Sequence, residues 1–388
     1  MTFEHSQDLE HFLRESFQWF HMHPELSFEE YETTKKIRQL LTEAGIEILP
    51  YTLETGLVAV VRGDKEGPMQ ALRADIDALP VTEETGLPYR SCVPGKMHAC
   101  GHDFHITAGI GTAILLHKRR GELSGTVKFF FQPAEESSFG ALKIIEAGAF
   151  DDVEHTWGFH AAPAFDTGVL GISSGYVAAA VDRFTVRITG AGCHGAKPHE
   201  GIDPIPAACA IVQALQTIVS RNINAFHPAV LSITRIEAGK TWNVIPVSAE
   251  LEGTVRSMQR ADRDLMEKRF REIVTQTAAA YGCAAEIDWP DGSPAVDNDP
   301  AMADFAARIG RQHGYEVVPE GETMSGDDFS FYQQKKPGCY IRVGTGKGAM
   351  IHQPTFRVDP DVILPTAQYL TELLIAAGER LYLKADAF

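Results

Sequence analysis

The run Leu57-Val58-Ala59-Val60-Val61 is continuously apolar and lies between two glycines. Such a run predicts a β-strand that is buried on both faces. Residues 69–74 and 126–131 have a similar apolar character, and residues 29–45 and 106–117 have the spacing and composition of packed helices. Strands separated by helices favour an α/β domain with a mainly parallel sheet.

The pattern changes near residue 180. Over residues 184–188 apolar side chains alternate with polar ones, which is typical of a half-exposed strand. The segments that follow predict the order β-α-β-β-α-β, which is that of a ferredoxin-like unit. We therefore predict a small domain of residues 180–290, inserted into a larger α/β domain that consists of residues 1–179 and 291–388.

The length and composition are those of an ordinary globular protein. With 388 residues the chain is too long for one compact core, and its apolar content of 44% and charged content of 22% are typical of globular domains. The formal net charge of -17 argues against nucleic acid as a partner, because binding to phosphates needs clustered Lys and Arg. We expect two domains and no nucleic-acid binding.

The cysteines and the apolar segments indicate the cellular compartment of the protein. The six cysteines are widely spaced and form no Cys-x-x-Cys pair, which favours free thiols in a reducing compartment over disulfides. Residues 1–18 are polar and acidic, unlike a signal peptide. No stretch approaches the ~20 apolar residues that a membrane span needs. The sequence predicts a cytoplasmic protein without a membrane partner.

The segment Met97-His98-Ala99-Cys100-Gly101-His102-Asp103-Phe104-His105 concentrates metal-ligating side chains. Thiolate and neutral imidazole are the ligands that borderline transition-metal ions prefer. The glycine between Cys100 and His102 permits a tight turn, so that both side chains can point at one position. A buried structural cysteine beside a hydrogen-bonded histidine is the alternative. His98 and His105 are predicted to support the site or to pack, because a metal site takes few ligands.

Further candidate ligands lie in three other segments, at Glu135-Glu136, His160 and His352. The two glutamates follow the apolar run 126–131. Because successive side chains of an extended backbone point to opposite sides, one carboxylate could bind metal while its neighbour acts as a general base. Two solvated surface acids are the alternative. Thiolate and imidazole suit zinc, and the carboxylates would also accept manganese, cobalt or nickel.

Two aspartates follow the predicted strand of residues 69–74. Asp75 and Asp77 alternate along the chain and therefore face the same way. They could support a cation or orient a ligand imidazole, and they could equally cap a turn or a helix. The pattern leaves both interpretations open.

The predicted inserted domain carries polar residues of interest. His194 lies in a glycine-punctuated loop, Asn243 precedes a Val-Ile-Pro segment, and Arg256 closes a predicted strand. An imidazole, an amide and a guanidinium could polarise a carbonyl and bind a carboxylate. Surface residues without such a role would have much the same spacing.

Taken together, these segments resemble the M20 metallopeptidase family, and most closely its amidohydrolase branch of N-acyl-amino-acid, hippurate and auxin-conjugate hydrolases. The similarity covers essentially the whole chain. Its motifs occur in the following order: His23-Pro24-Glu25-Leu26-Ser27-Phe28, residues 73–80, Cys100-Gly101-His102-Asp103, residues 132–136, the His194 loop, Asn243-Val244-Ile245-Pro246, and the His352 segment.

The resemblance implies a centre of two divalent metal ions. Its ligands would be Cys100, His102, Glu136, His160 and His352. Cys100 would bridge the two metals, at a position where other branches of the family use an aspartate. Glu135 would be the general base, and Asp77 falls where relatives keep an aspartate that orients a ligand.

The resemblance also implies a fold and an assembly. The fold would be α/β, a mainly parallel-sheet catalytic domain with an inserted ferredoxin-like βαββαβ lid and dimerisation domain. In a homodimer, His194 would reach in trans into the partner's site to stabilise the oxyanion. Asn243 and Arg256 match substrate-binding positions, Arg256 being a candidate for the free carboxylate. Cys193 stands where relatives usually have glycine, which bears on the substrate pocket.

The sequence therefore predicts a metal-dependent hydrolase that cleaves the amide of a small N-acyl amino acid. The products would be a carboxylic acid and a free amino acid. A dipeptidase or aminopeptidase on the same scaffold is an alternative, and so is a non-catalytic protein that binds a metal or a metabolite. A cysteine nucleophile, Cys100 paired with His102, is a further alternative, which leaves Glu136, His160 and His352 without a role.

Overall fold

The computed structural model describes residues 5–385 of the chain. Its helices are α1 (Ser6–Met22), α2 (Tyr31–Glu43), α3 (His102–Lys118), α4 (Gly140–Glu146), α5 (Pro204–Asn222), α6 (Arg260–Ala280), α7 (Pro300–Gln312), α8 (Ser330–Gln333) and α9 (Ile363–Ala385). Its strands are β1 (Glu47–Ile48), β2 (Leu57–Arg62), β3 (Lys65–Asp75), β4 (Ser124–Gln132), β5 (His155–Ala162), β6 (Val169–Gly171), β7 (Gly175–Ala178), β8 (Ala180–Thr189), β9 (Cys193–His194), β10 (Ala229–Ala238), β11 (Val244–Ile245), β12 (Ser248–Ser257), β13 (Ala284–Asp288), β14 (Val296–Asn298), β15 (Glu316–Val318) and β16 (Gly338–Gly344).

The described chain divides into two compact units. The first contains the residues up to Val177, the segment Asp297–Gly321, and the residues from Asp328 onward. The second contains Ala178–Val296 and Glu322–Asp327. The first unit is therefore discontinuous along the chain, and each unit has a hydrophobic core of its own.

An eight-stranded sheet forms the centre of the first unit, in the order β1-β2-β4-β3-β5-β16-β6-β15. The central strands β4, β3, β5 and β16 run parallel to one another, as do β6 and β15. The pairs β1–β2, β2–β4 and β6–β16 are antiparallel. The predicted α/β fold with a mainly parallel central sheet is thus confirmed.

The sheet is buried where the sequence is continuously apolar. The side chains of Leu57 to Val61 in β2 are all buried, as expected for a strand that is covered on both faces. Helix α3 is buried along almost its whole length and packs against α1 and α9. The helix begins at His102, earlier than the predicted residues 106–117. The segment of residues 97–105, which carries the candidate metal ligands, therefore leads directly into a buried helix.

The second unit contains a four-stranded antiparallel sheet in the order β10-β12-β8-β13. Buried and half-exposed residues alternate along β12, since only one face of this sheet is covered. Helices α5 and α6 pack against it. Helix α5 begins after Asp203, whose side chain accepts the backbone N–H of Ile205 at 3.0 Å, and has proline in its first turn.

The sequence also predicted free cysteine thiols and no membrane-spanning segment. All six cysteines lie in the described part of the chain and are free thiols. None of the helices formed by residues 5–385 combines the length and the apolar character that crossing a bilayer requires.

A buried ion pair joins α1 to the start of α3. The ring of His21 hydrogen-bonds to Asp103 through Nδ1 at 2.6 Å and to Glu83 through Nε2 at 3.1 Å, and its side chain is only 3% exposed. Burial opposes the charged ring, but the hydrogen bonds to Asp103 and Glu83 outweigh it and raise the pKa of His21 from 6.5 to about 9.

This shift predicts a pH dependence of stability. Because the pKa of His21 is raised by folding, its contribution is fully present below pH 6.5 and is lost as the pH rises through 9. Across that window, we expect the unfolding free energy to fall by about 1.4 kcal/mol per pH unit more than in a His21→Gln variant. Urea denaturation of both metal-loaded proteins at several pH values measures the difference. A difference that stays constant with pH would contradict the assignment.

Candidate metal centre

The candidate ligands lie at one edge of the central sheet. Strand β3 ends at Asp75, β4 ends three residues before Glu135, and β5 carries His160 near its carboxyl end. Since the carboxyl ends of parallel strands share an edge, the fold brings these residues close to the start of α3, where His102 lies.

Gly101 allows α3 to begin at this place. Its φ of +88° lies in the left-handed region, which strongly favours glycine. A Cβ at this position would lie 2.8 Å from the Cβ of Ala161 in β5. Only glycine therefore lets Cys100 and His102 stand so close to the strand that carries His160.

The five predicted ligands come together. The Sγ of Cys100 lies 3.3 Å from the Nε2 of His160, and the Nε2 of His352 lies 3.5 Å from an oxygen of Glu136. The Nε2 of His102 is 4.0 Å from the same oxygen of Glu136. Two overlapping sets have donor atoms within 4.8 Å of one another, namely Cys100, His102 and His160, and Cys100, Glu136 and His352. Cys100 belongs to both sets.

These residues fit divalent metal ions. Two buried atoms, Nε2 of His102 and Oε1 of Glu136, have no hydrogen-bond partner among the described residues, and both point into the cluster. Thiol, imidazole and carboxylate are together the donors that zinc and its neighbours in the first transition series take. Burying a nitrogen and an oxygen without hydrogen-bond partners costs free energy, unless a ligand occupies the position that both atoms face.

The imidazole rings are oriented by backbone carbonyls. Nδ1 of His102 lies 2.9 Å from the carbonyl oxygen of Asp77, and Nδ1 of His160 lies 2.8 Å from that of Ala161. A carbonyl can only accept, so in both neutral rings Nδ1 carries the hydrogen. Each Nε2 therefore presents its lone pair to the cluster, which is the form that binds a metal.

The electrostatics of the site favour a cation. Burial opposes a charged ring at His102, but the carboxylates of Asp75, Asp77 and Glu136 outweigh it and raise the pKa of His102 to about 10. Burial and the neighbouring carboxylates also raise the pKa of the Cys100 thiol well above its ordinary value. A metal ion would replace the protons on these ligands and relieve the same excess of negative charge.

Asp77 connects the ligand helix to the two glutamates. Its Oδ1 lies 3.2 Å from Nδ1 of His102 and accepts the backbone N–H of Glu135 at 3.1 Å. Its Oδ2 accepts the N–H of Glu136 at 3.0 Å and the hydroxyl of Ser27 at 2.6 Å. The side chain of Asp77 thus fixes one imidazole and the backbone of both glutamates at once.

The predicted geometry of the two glutamates is wrong. Glu135 and Glu136 lie in a turn and not in an extended strand, because Ala134 before them has a φ of +54°. Their carboxylates do not point to opposite sides. An oxygen of Glu135 lies 3.9 Å and an oxygen of Glu136 lies 4.0 Å from Nε2 of His102.

His105 and His98 lie outside the ligand cluster. Nε2 of His105 accepts the backbone N–H of Ala161 at 2.8 Å, so its Nδ1 donates to Asp75. This pair holds the strand next to His160. The ring of His98 is buried with no hydrogen-bond partner among the described residues, and burial lowers the pKa of His98 to about 4, so it is uncharged at neutral pH.

Sequence reasoning missed a buried charged network beneath the site. Arg73 is completely buried and forms ion pairs with Asp75 at 2.6 Å and with Asp328 at 2.9 Å. Asp328 also accepts from the side chain of Gln132 and from the backbone of Ala141. An arginine within the apolar strand of residues 69–74 is a signal in the sequence, since a buried arginine requires a carboxylate partner.

The other predicted residues lie in the second unit. His194 in β9 is the register partner of Val244 in β11, and the N–H of Gly195 donates to the carbonyl of Asn243 at 2.8 Å. His194 and Asn243 are therefore neighbours. Arg256 lies in β12, and burial lowers its pKa although the charge of Asp182 opposes this.

A family model and several known proteins match most of the chain. The sequence matches peptidase family M20/M25/M40 over residues 71–376. It is 46% identical over 360 residues to an N-acetylcysteine deacetylase of Bacillus subtilis, which covers 92% of this chain and 95% of the relative. It is 39% identical over 353 residues to thermostable carboxypeptidase 1 of Saccharolobus solfataricus, which covers 88% of this chain and 89% of the relative.

A solved structure supports the same family assignment. A Bacillus subtilis protein described as a dinuclear metal binding peptidase of the M20 family has a TM-score of 0.87 and 43% identity, with 96% of this chain and 99% of that chain covered. The resemblance to this family that the sequence predicts is thus confirmed. The chain belongs to peptidase family M20/M25/M40.

Proposed function

We propose that this protein is a metal-dependent amidohydrolase that cleaves the amide bond of small N-acyl amino acids. The products are a carboxylic acid and a free amino acid. The observation that carries the proposal is the convergence of one thiol, three imidazoles and a carboxylate beside a second carboxylate, Glu135. The name of the relative, N-acetylcysteine deacetylase, denotes a substrate of this class.

Two divalent metal ions are the proposed cofactors. Their ligands are Cys100, His102, Glu136, His160 and His352. Cys100 would be the ligand common to both ions, as the family resemblance implies, and its place in the groups with His160 and with His352 supports this. When bound, the ions supply a Lewis acid for the scissile carbonyl and lower the pKa of a coordinated water. Zinc, manganese, cobalt and nickel all suit this donor set.

Glu135 is the proposed general base. Its carboxylate lies 3.9 Å from the ring of His102, at the edge of the ligand cluster, and is 10% exposed. There it can take the proton of the attacking water on a carboxylate oxygen and return it to the leaving amine. Asp77 is a positioning residue for this step, since it accepts the backbone N–H of Glu135.

The second unit is the proposed ferredoxin-like lid and dimerisation domain. The strand order β10-β12-β8-β13 with two helices supports this assignment. We propose that His194 acts in trans within a homodimer to stabilise the oxyanion, and that Asn243 assists in substrate binding. Arg256 binds the free carboxylate of the amino acid. Both oxygens of its neighbour Asp182 already bind Arg263, at 2.7 and 2.8 Å.

A peptidase is the second candidate function. A relative that is 39% identical is named a carboxypeptidase, and a peptide bond is also an amide next to a free carboxylate. A non-catalytic binding protein is less well supported, because binding alone needs no carboxylate at position 135. A Cys100 nucleophile would leave Glu136, His160 and His352 without a role.

A cytoplasmic location is proposed, with a small-molecule substrate and a second copy of the chain as partners and without nucleic acid or membrane. Six free thiols support a reducing compartment. The formal charge of -17 disfavours nucleic acid as a partner.

Amine release from a panel of substrates tests the function. We expect the metal-reconstituted protein to release amino acids from N-acetyl or N-benzoyl amino acids, and a chelator to abolish the release because the metal ions polarise the carbonyl. Dipeptides with a free amino group serve as the comparison. Turnover of dipeptides alone would favour the peptidase, and turnover that resists the chelator would contradict a metal-dependent mechanism.

The Glu135→Gln variant tests the general base. An amide cannot accept a proton at neutral pH, so we expect kcat to fall by a factor of about 10² to 10⁴ while the bound metal is retained. Steady-state kinetics together with metal analysis measure both quantities. Glu146→Gln changes an exposed glutamate of α4 in the same way and serves as the control. Retained turnover would remove Glu135 from the role.

Subunit mixing tests catalysis in trans. Glu135→Gln and His194→Ala should each be inactive alone. In a mixed dimer, one site pairs an intact Glu135 with the partner's intact His194. Statistical exchange of subunits should therefore restore about a quarter of wild-type activity. Absence of restoration, with mixed dimers confirmed by native mass spectrometry, would show that His194 does not act in trans.

A further inference from the structure

Glu30 is a completely buried carboxylate to which neither the sequence nor the proposed mechanism gives a role. It lies immediately before helix α2, and its relative exposure is 0%. Its Oε1 accepts the backbone N–H of Ala134 at 2.8 Å, and its Oε2 accepts the hydroxyl of Thr55 at 2.7 Å. Burial and the nearby charge of Asp77 raise the pKa of Glu30 to about 7, which shows how costly this placement is.

Capping of its own helix does not explain Glu30. Its side chain makes no capping hydrogen bond to α2. That role belongs to Glu25, whose two oxygens accept the backbone N–H groups of Glu32 at 3.2 Å and Thr33 at 2.8 Å. The carboxylate of Glu30 is turned away from α2 and toward the segment that precedes Glu135.

Three consecutive backbone N–H groups at that segment point to two buried carboxylates. The N–H of Ala134 donates to Glu30, and those of Glu135 and Glu136 donate to the two oxygens of Asp77. Ala134 has a φ of +54°, a left-handed conformation that is unfavourable for an L-residue other than glycine. This conformation needs a partner that holds it, and Glu30 is the acceptor that contacts the residue itself.

We propose that Glu30 is a positioning residue for catalysis, which holds the Ala134 N–H and thereby keeps the turn that presents Glu135 and Glu136 to the metal centre. The inference rests on the proposed function, because it assigns Glu30 a role through the general base. It gives a part in catalysis to Glu30, which follows the motif of residues 23–28, and none to Glu25 within that motif. Glu25 starts the helix, and Glu30 fixes the catalytic turn.

The test compares three variants of the metal-loaded protein. Glu30→Ala removes the acceptor, Glu30→Gln keeps an oxygen that can accept the Ala134 N–H, and Glu25→Ala removes a carboxylate that binds only the start of α2. We expect Glu30→Ala to lower kcat by about 100-fold with KM and bound metal nearly unchanged, since a small displacement of a catalytic group has an effect of that size. Glu30→Gln should remain within about 5-fold of wild type, because its hydrogen bond survives.

Glu25→Ala is the matched control. Loss of its cap should lower the urea concentration at the midpoint of unfolding and leave kcat unchanged. Hydrogen exchange of the peptide that covers residues 132–138, measured by mass spectrometry, adds a readout that needs no turnover. Glu30→Ala should speed exchange in this peptide, and Glu25→Ala should not.

The possible results separate the two proposals. Unchanged kcat in Glu30→Ala, or equal losses in Glu30→Ala and Glu25→Ala, would overturn the positioning role. Unchanged exchange over residues 132–138 in Glu30→Ala would overturn it as well, and would do so even if wild type were inactive on every N-acyl amino acid. Inactive wild type with faster exchange in Glu30→Ala would instead reject the proposed function while leaving the structural role of Glu30 supported. If Glu30→Ala does not fold, a Glu30→Gln variant with the activity loss expected of Glu30→Ala would reject the hydrogen-bond explanation.

Discussion

The carboxylate of Asp77 is the interaction on which the rest of the site depends. Burial by itself would raise the pKa of Asp77, but the hydrogen bond and the charge of His102 and the hydroxyl of Ser27 lower it, so that it stays ionised. In this form it accepts the backbone N–H groups of Glu135 and Glu136. Removal of this side chain would release an imidazole and two consecutive backbone N–H groups together, because all of them share its two oxygens.

This arrangement concentrates negative charge in a buried place. The carboxylates of Glu30, Asp75, Asp77, Glu135 and Glu136 all lie around the ring of His102 or the turn beside it. Arg73 compensates part of this negative charge through its ion pairs with Asp75 and Asp328. Buried charges of this density seldom serve stability, since desolvation costs several kcal/mol per ion. They are understandable where a divalent cation completes the balance.

Several elements of the fold and the site could be predicted from the sequence. Leu57 to Val61 predicted a buried strand, because a run that is apolar at every position has no solvent-facing side. The concentration of cysteine and histidine around Gly101 predicted a cluster of candidate metal ligands. Few other kinds of site need a thiol and several imidazoles so close together in the chain. Both signals are local, which is why the sequence carries them.

Other features could not be predicted, because they depend on contacts between distant residues. The turn at Ala134 replaces the extended backbone that the preceding apolar strand suggested, and Glu30 and Asp77, far away in the chain, hold it. One carboxylate partner of Arg73, Asp328, lies 255 residues further along the chain. The sequence by itself therefore determined the types of ligand, the α/β class and the family resemblance. The tertiary structure alone decided which carboxylates converge and how the two glutamates are aimed, because those depend on long-range hydrogen bonds that local propensity does not encode.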